Sequence, residues 1–291
     1  MMFKRLATVG AAMVLAACGQ GGSGLAQASD GPLTGEAREA ERAELVRSAT
    51  NGFDISLPSN AAELDQAEAD HDVQRLSRLT QSAEDVEALL QWQKIAVFRG
   101  GGSAVTMGYT GTLWRTAFAY EQAGFGQPER NQADAQAIEG VKTASATMAL
   151  YSLALLKEDG LRCAYPDTTA GALAEATGGL QAVFVYLRGK PEAERRSIVD
   201  SADALNTRTR RVRGRDAWLC NSQAARDRAM ADALASGAAK TIERDAPSTP
   251  GRDVDVAINP DAMFVDDLTW WSRVKSAKTE TMALLEDAAG L

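Results

Sequence analysis

From residue 36 onward, apolar positions recur at intervals of three and four, the period of an amphipathic helix, and only one short stretch alternates as a strand does. Glu36 to Thr50 is charged and alanine-rich, with Leu45 and Val46 as its main large apolar residues, and reads as a helix. Phe53 to Leu57 alternates but is short and bounded by Pro58, which predicts an extended connection. Asn60 followed by Glu63 has the spacing of a capping box. The helix it opens carries Leu64, Val73, Leu76 and Leu79 on one side and contains His71 between two aspartates. Ser82 to Asp85 is the next start, and Val86, Leu89, Leu90, Gln93, Val97 and Phe98 follow at helical spacing until Gly100-Gly101-Gly102. Leu113 to Gln122 continues as helix until Gly124 and Pro128 stop it.

The second half is more strongly patterned. Ala137, Val141, Ala144, Met148, Tyr151 and Leu155 form a stripe of mostly small residues, suited to close helix packing, and Gly160 is placed for a left-handed cap. Leu173 to Leu187 is apolar and interrupted at Gly178-Gly179. Pro191 suits a first helical position, opening a run to about Val212. Ser222 to Ser236 follows, closed by Gly237. Asn259-Pro260 starts the last helix, with Phe264, Leu268, Trp271, Val274 and Leu285 on its apolar face and Trp270 about 100° away, partly exposed. No period of solenoid type repeats. The pattern predicts an all-α helical bundle, with residues 123–131 as the best boundary between an N-terminal helical part (36–127) and a C-terminal one (128–291), packed either as one body or as two sub-bundles.

The first residues obey a different logic. Met1 to Arg5 is short and basic, Leu6 to Val14 is apolar or small, and small residues follow, the arrangement of a secretory signal peptide. The apolar run is too short for a permanent span, which needs about 20 residues. Leu15-Ala16-Ala17-Cys18 resembles the lipobox of bacterial lipoproteins. That resemblance covers the leader alone and implies cleavage after residue 17, with a diacylglyceryl group on the Cys18 thiol and a membrane anchored through lipid. Gly19 stands where an aspartate would resemble an inner-membrane retention signal, so in a double-membraned host the outer membrane is favoured, with the domain facing the periplasm. Residues 18–35, rich in Gly, Ser and Pro, read as a lipidated N-terminus and flexible tether.

Export changes the meaning of charge and cysteine. The formal charge of −8 falls by a further two when Lys4 and Arg5 leave with the leader. So acidic a domain is no nucleic-acid binder, and anionic lipid would not attract it electrostatically. Cys163 and Cys220 are the only other cysteines, outside any C-x-x-C pattern and without a neighbouring histidine, and in an oxidising compartment they read as one disulfide.

Candidate chemistry is sparse. The single histidine excludes H-E-x-x-H and three-histidine metal sites, and His71 between Asp70 and Asp72 reads as a surface residue. Arg99-Gly100-Gly101-Gly102-Ser103 lacks the ending of a phosphate loop and reads as a mobile turn between helices. Asp253, Asp255, Asn259 and Asp261 offer oxygen ligands without the spacing of a calcium loop, so they read as a solvated acidic loop. No segment has the glycine-rich signature of lytic transglycosylases. Arg208, Arg210, Arg211, Arg213 and Arg215 make the one dense basic run, and Arg208, Arg211 and Arg215 are the candidate anion-contact patch unless they serve only a helix dipole. No cofactor, metal or catalytic constellation is identified. Two readings stay open: a tethered helical binding or scaffold module contacting an envelope protein or polymer, and a peptidoglycan-directed hydrolase with unrecognised carboxylates. A deep cleft with converging carboxylates would favour the second, a closed bundle with a flat patch the first. The anchor reading is tested directly: the Cys18→Ala protein should take up no radioactive fatty acid in growing cells, and undiminished labelling refutes it.

Overall fold

In the computed structural model, residues 31–50, 55–125, 132–237, 240–242, 253–255 and 260–291 are described. Cys18 and most of the tether lie outside them, as do Phe53, Asp54, Asn259 and residues 126–131 of the anticipated boundary. Twelve α-helices occupy the described residues, with two 3-10 turns and one two-stranded ribbon. In chain order the helices are α1 (Gly35–Thr50), α2 (Ala61–Ala69), α3 (Val73–Gln81), α4 (Val86–Phe98), α5 (Ser103–Gln122) and α6 (Gln132–Gly160), then α7 (Ala170–Gly179), α8 (Gln181–Arg188), α9 (Glu192–Arg210), α10 (Ala217–Cys220), α11 (Gln223–Ala235) and α12 (Asp267–Ala289). Strands β1 (Lys240–Ile242) and β2 (Asp253–Asp255) pair antiparallel, Lys240 opposite Asp255. The acidic stretch read as a loop thus holds a short strand.

The axis of the fold is α6. Residues 144–146 and 148–156 are buried without interruption, so this helix is wrapped on all sides rather than being apolar along one stripe. Helices α5, α7, α8, α9 and α12 all pack on it, while α1, α2, α3 and α4 join the same core through α5. Ala144, Ser145, Ala146, Ala149 and Ser152 keep the α6 surface low, which lets α5 approach closely enough for Ser145 to donate to the Thr110 carbonyl at 3.1 Å. One hydrophobic cluster runs from Leu45 in α1 to Ala289 in α12. The bundle therefore has a single core, and the alternative of two sub-bundles does not hold, because α5 and α6, on opposite sides of the anticipated boundary, are packed along each other.

Several local expectations shift. The helix expected across His71 breaks there. Asp72 N donates to Ala67 O and His71 N to Glu68 O, closing α2 as a Schellman motif with His71 in the left-handed region at φ 53°. Asp72 then caps α3 by accepting from Arg75 N at 2.9 Å. Asn60 makes no side-chain cap, since its amide donates instead to Leu79 O. Helix α5 starts ten residues before the anticipated one, at Ser103; its threonines return their hydroxyls to carbonyls one turn back, as Thr106 does to Gly102 and Thr110 to Thr106, so β-branching does not break it. Gly160 ends α6 without a left-handed cap, and a Cβ there would stand 2.8 Å from Thr169 Oγ1. Pro191 sits one position before the first turn of α9. Residues 260–263 form a separate 3-10 turn, and α12 starts only at Asp267, capped by Asp266.

The two tryptophans exchange places. Trp270 is fully buried, while Trp271 is half-buried and meets it edge-on at 5.7 Å; Leu268, expected on the apolar face, is 75 % exposed. The buried face of α12 runs Trp270, Val274, Ala277, Thr281, Leu285 and Ala288, one residue out of phase with the anticipated start. The pull on Trp270 is polar: its indole N–H donates at 2.8 Å to Glu158 O, which also accepts from Leu161 N in the closing turn of α6.

Cys163, just past α6, and Cys220, at the end of α10, form the disulfide anticipated for them, closing a separation of 57 residues with Cα atoms 5.1 Å apart. The chain-entropy model values such a loop at about 4 kcal/mol. Replacing both cysteines by serine should lower stability to chemical denaturation by a few kcal/mol while leaving far-UV helicity unchanged; an unaltered denaturation midpoint contradicts this.

Candidate functional site

At the C-terminal end of α6 the chain gathers an unusual density of buried charge. Glu158 and Asp159 are both buried there. The Glu158 carboxylate accepts from Arg210 Nε at 2.8 Å and Nη2 at 2.5 Å, from Arg213 Nη2 at 2.7 Å and from Asn206 Nδ2 at 2.9 Å. Burial works against its charge, yet Arg213 and Arg210 hold its carboxyl below the usual range. Arg213, 1 % exposed, also donates to Asn206 Oδ1 at 2.8 Å. Arg162 lays its guanidinium 3.6 Å from the centre of the Trp270 ring and donates to the Gly214 carbonyl. A buried ion pair contributes little net stability when complete, but removing one partner costs about 3–5 kcal/mol because a charge is left alone.

Asp159 is placed differently. Its Oδ1 lies 3.4 Å from Arg213 Nε, outside hydrogen-bond geometry, and receives no hydrogen bond. Burial pushes its carboxyl up, against the pull of Arg213 and Arg162, and neighbouring Asp216 and Glu158 add to the rise. Asp159 also lines a cleft of about 660 Å³ that opens between α2, the turn after α4, and the Arg213–Asp216 loop.

The walls of this cleft are fixed by close contacts. Gly100 lies at φ +91°, with Val212 O 2.8 Å from where a Cβ would stand. At Gly101 a Cβ would meet Val105 Cγ1 at 2.6 Å and Glu68 Oε1 at 2.7 Å; at Gly102 it would meet Asp216 Oδ2 at 2.8 Å. The triple glycine is therefore a tightly packed floor and not a loose turn. Asp216 stands at the N-cap position of α10 but makes no cap there. Its Oδ2 accepts instead from Ser103 N at 2.9 Å and Ser103 Oγ at 2.6 Å, capping α5 from 113 residues away. On the opposite wall Arg99 donates to Asp65 Oδ1 at 2.9 Å and Glu68 Oε2 at 3.0 Å, and Trp92 Nε1 donates to Asp65 at 3.1 Å. Burial raises the Glu68 carboxyl above its ordinary value, with Arg99 opposing. A niche of about 20 Å³, room for about one water, extends from the cleft beneath Glu68 and Asp216 toward Leu76, Val105 and Trp218.

The arginine run does not act as one patch. Arg208 donates to Ser48 Oγ of α1 at 3.0 Å, and Arg215 pairs with Asp261 at 2.9 Å beside the Phe264 ring. The Arg211 carbonyl accepts from Leu33 N. Only Arg215 of the three lines the cleft, whereas Arg210 and Arg213 turn inward to Glu158. His71 is exposed as anticipated, but it stands on the cleft rim. Asp159, Asp216 and Glu68 are the site residues that sequence reading missed. One signal was available: Asp159 and Asp216 each precede a disulfide cysteine by four residues.

Among the described residues no group of three or more His, Cys, Asp or Glu side chains is arranged to hold a metal ion, and no helix is long and apolar enough to cross a membrane. Gly100→Ala should lower stability by at least the roughly 1–2 kcal/mol of a left-handed non-glycine residue, more if Val212 cannot move, as measured by urea denaturation; a wild-type midpoint contradicts the packed floor. Comparison with protein-family models, curated proteins and solved structures finds no match to the chain.

Proposed function

We propose that the protein is a lipid-anchored module of the cell envelope whose helical domain binds a polar ligand in the cleft above Asp159 and takes no part in catalysis. The lipobox through Cys18 supports the anchor. The observation that carries the binding reading is the preformed cleft itself: its walls come from five separate segments, held by the packed glycines and by the Asp216–Ser103 bonds. Its size lies in the range of ligand sites, about 300–1,000 Å³. The ligand surface is thus a concave site rather than a flat patch or the Arg208, Arg211, Arg215 run.

A second reading, an envelope hydrolase directed at peptidoglycan, is favoured by one observation. Glu68 has a carboxyl raised by burial and shares the cleft with Asp216, so two carboxyl groups in different surroundings line one space. Against it, Asp65, Glu68 and Asp216 all spend oxygens on structural donors, and no nucleophile pairs with a base in the cleft.

One experiment addresses both. Replacing Ala69, on the exposed rim, by a photo-crosslinking amino acid in cells should yield a discrete adduct that the same replacement at exposed Met230 does not. Absence of an adduct at position 69 refutes the cleft as the binding site. Incubated with purified peptidoglycan, the protein should release no soluble fragments; release that Glu68→Gln abolishes would establish the hydrolase instead.

A further inference from the structure

We propose that the outward face of α5 pairs with the same face of a second copy of this chain, the two helices running antiparallel and crossing at Gly111. Helices α6, α4 and α3 pack on the other sides of α5. On the outward side Ala104, Met107, Gly108, Gly111, Trp114 and Phe118 follow at helical spacing, none of them buried, and Phe118 is 51 % exposed. Between Ala104 and Phe118 the only charged residue of the helix is Arg115. Its flexible side chain leans across Gly111, with Nη1 3.3 Å from where a Cβ would stand, and donates to Thr112 Oγ1 at 3.3 Å.

The face is complementary to itself. Gly108 lies three residues before Gly111 and Trp114 three after, Ala104 seven before and Phe118 seven after. In a twofold antiparallel pair each residue meets the one equally far beyond the crossing point. Trp114 of one copy therefore covers Gly108 of the other, and Phe118 covers Ala104, so bulky rings leave water against bare or nearly bare backbone. An open polar demand lies at the same place. Gln93 of α4 is 1 % exposed and its Oε1 is buried without a hydrogen bond, while its Nε2 stands 3.5 Å from where a Gly108 Cβ would be. Among the described residues the Trp114 indole N–H has no acceptor, although its ring meets that of Tyr186 at 5.6 Å. Pairing sets this indole over Gly108, where a half-turn of the Gln93 amide offers it Oε1. A donor and a buried acceptor that each lack a partner then satisfy one another.

Disulfide trapping of the full chain in briefly oxidised cells tests the contact. Gly111→Cys should give a linked dimer on a non-reducing gel, one that the parent protein does not give. Phe118→Cys alone should not, because its two copies would stand about 21 Å apart at about 1.5 Å per residue, whereas a disulfide needs Cα atoms within about 7 Å. Ala104→Cys combined with Phe118→Cys should restore the dimer. Gly108→Leu puts a side chain where Trp114 of the second copy would rest, while within its own chain a Cβ there meets Gln93 Nε2 at an ordinary 3.5 Å. Added to Gly111→Cys, it should lower the linked fraction at least fivefold, as should Phe118→Ala at its exposed position. Thermal melting checks the fold, and if Gly108→Leu does not fold, Phe118→Ala decides. No dimer from Gly111→Cys, an equally strong dimer from Phe118→Cys alone, or a fall under fivefold in Phe118→Ala overturns the proposal. So does a linked product in which mass spectrometry finds a different protein in place of the second copy.

Discussion

The whole arrangement depends on how the last turn of α6 is terminated inside the protein. A helix end leaves carbonyls without partners, and at this one two acidic side chains are buried as well, a combination that the core could not hold without compensation. Compensation comes from α9, the loop that follows it and α12. Arg210 and Arg213 answer Glu158, Trp270 takes its carbonyl, and Arg273 donates to the carbonyls of Leu161 at 3.0 Å and Cys163 at 3.2 Å. Helices α9 and α12 are therefore placed by polar geometry as much as by the apolar contacts along their length.

That dependence explains what the sequence displayed and what it concealed. Helix α4 was legible because Val86 to Phe98 carries an apolar pattern between an aspartate cap and a glycine stop, and both signals are local. The run of α9 and the disulfide were legible for similar reasons. Trp270 was not: period alone favours Trp271, and only an acceptor 112 residues away selects its neighbour. Arg213 was equally hidden, since a run of arginines looks like surface until Glu158 is known to lie inside. Gly100, Gly101 and Gly102 read as slack because their constraint comes from Val212, Glu68 and Asp216, none of them near in sequence. The cleft shares this character. Its residues are spread over some 175 positions, and none sits in a spacing that names a chemistry.

His71 shows how local strain and site geometry coincide. A histidine at φ 53° occupies the position where glycine commonly closes a Schellman motif, on the rim of the cleft and three residues after Glu68. The turn it makes ends α2 within reach of the cleft and swings α3 away, so that Glu68 rather than a continuing helix forms the wall.

The disulfide has a bearing that reaches past stability. Its two cysteines each follow a cleft aspartate by one helical turn, Cys163 after Asp159 and Cys220 after Asp216, so the covalent bond ties together the two segments that carry those carboxylates. The bond thereby fixes the spacing of two segments whose acidic side chains both line the cleft. In a reducing solution the core would keep its packing while this tie is released. The bond thus makes the alignment of the two carboxylates a property acquired on oxidation, one that the newly made chain does not yet possess.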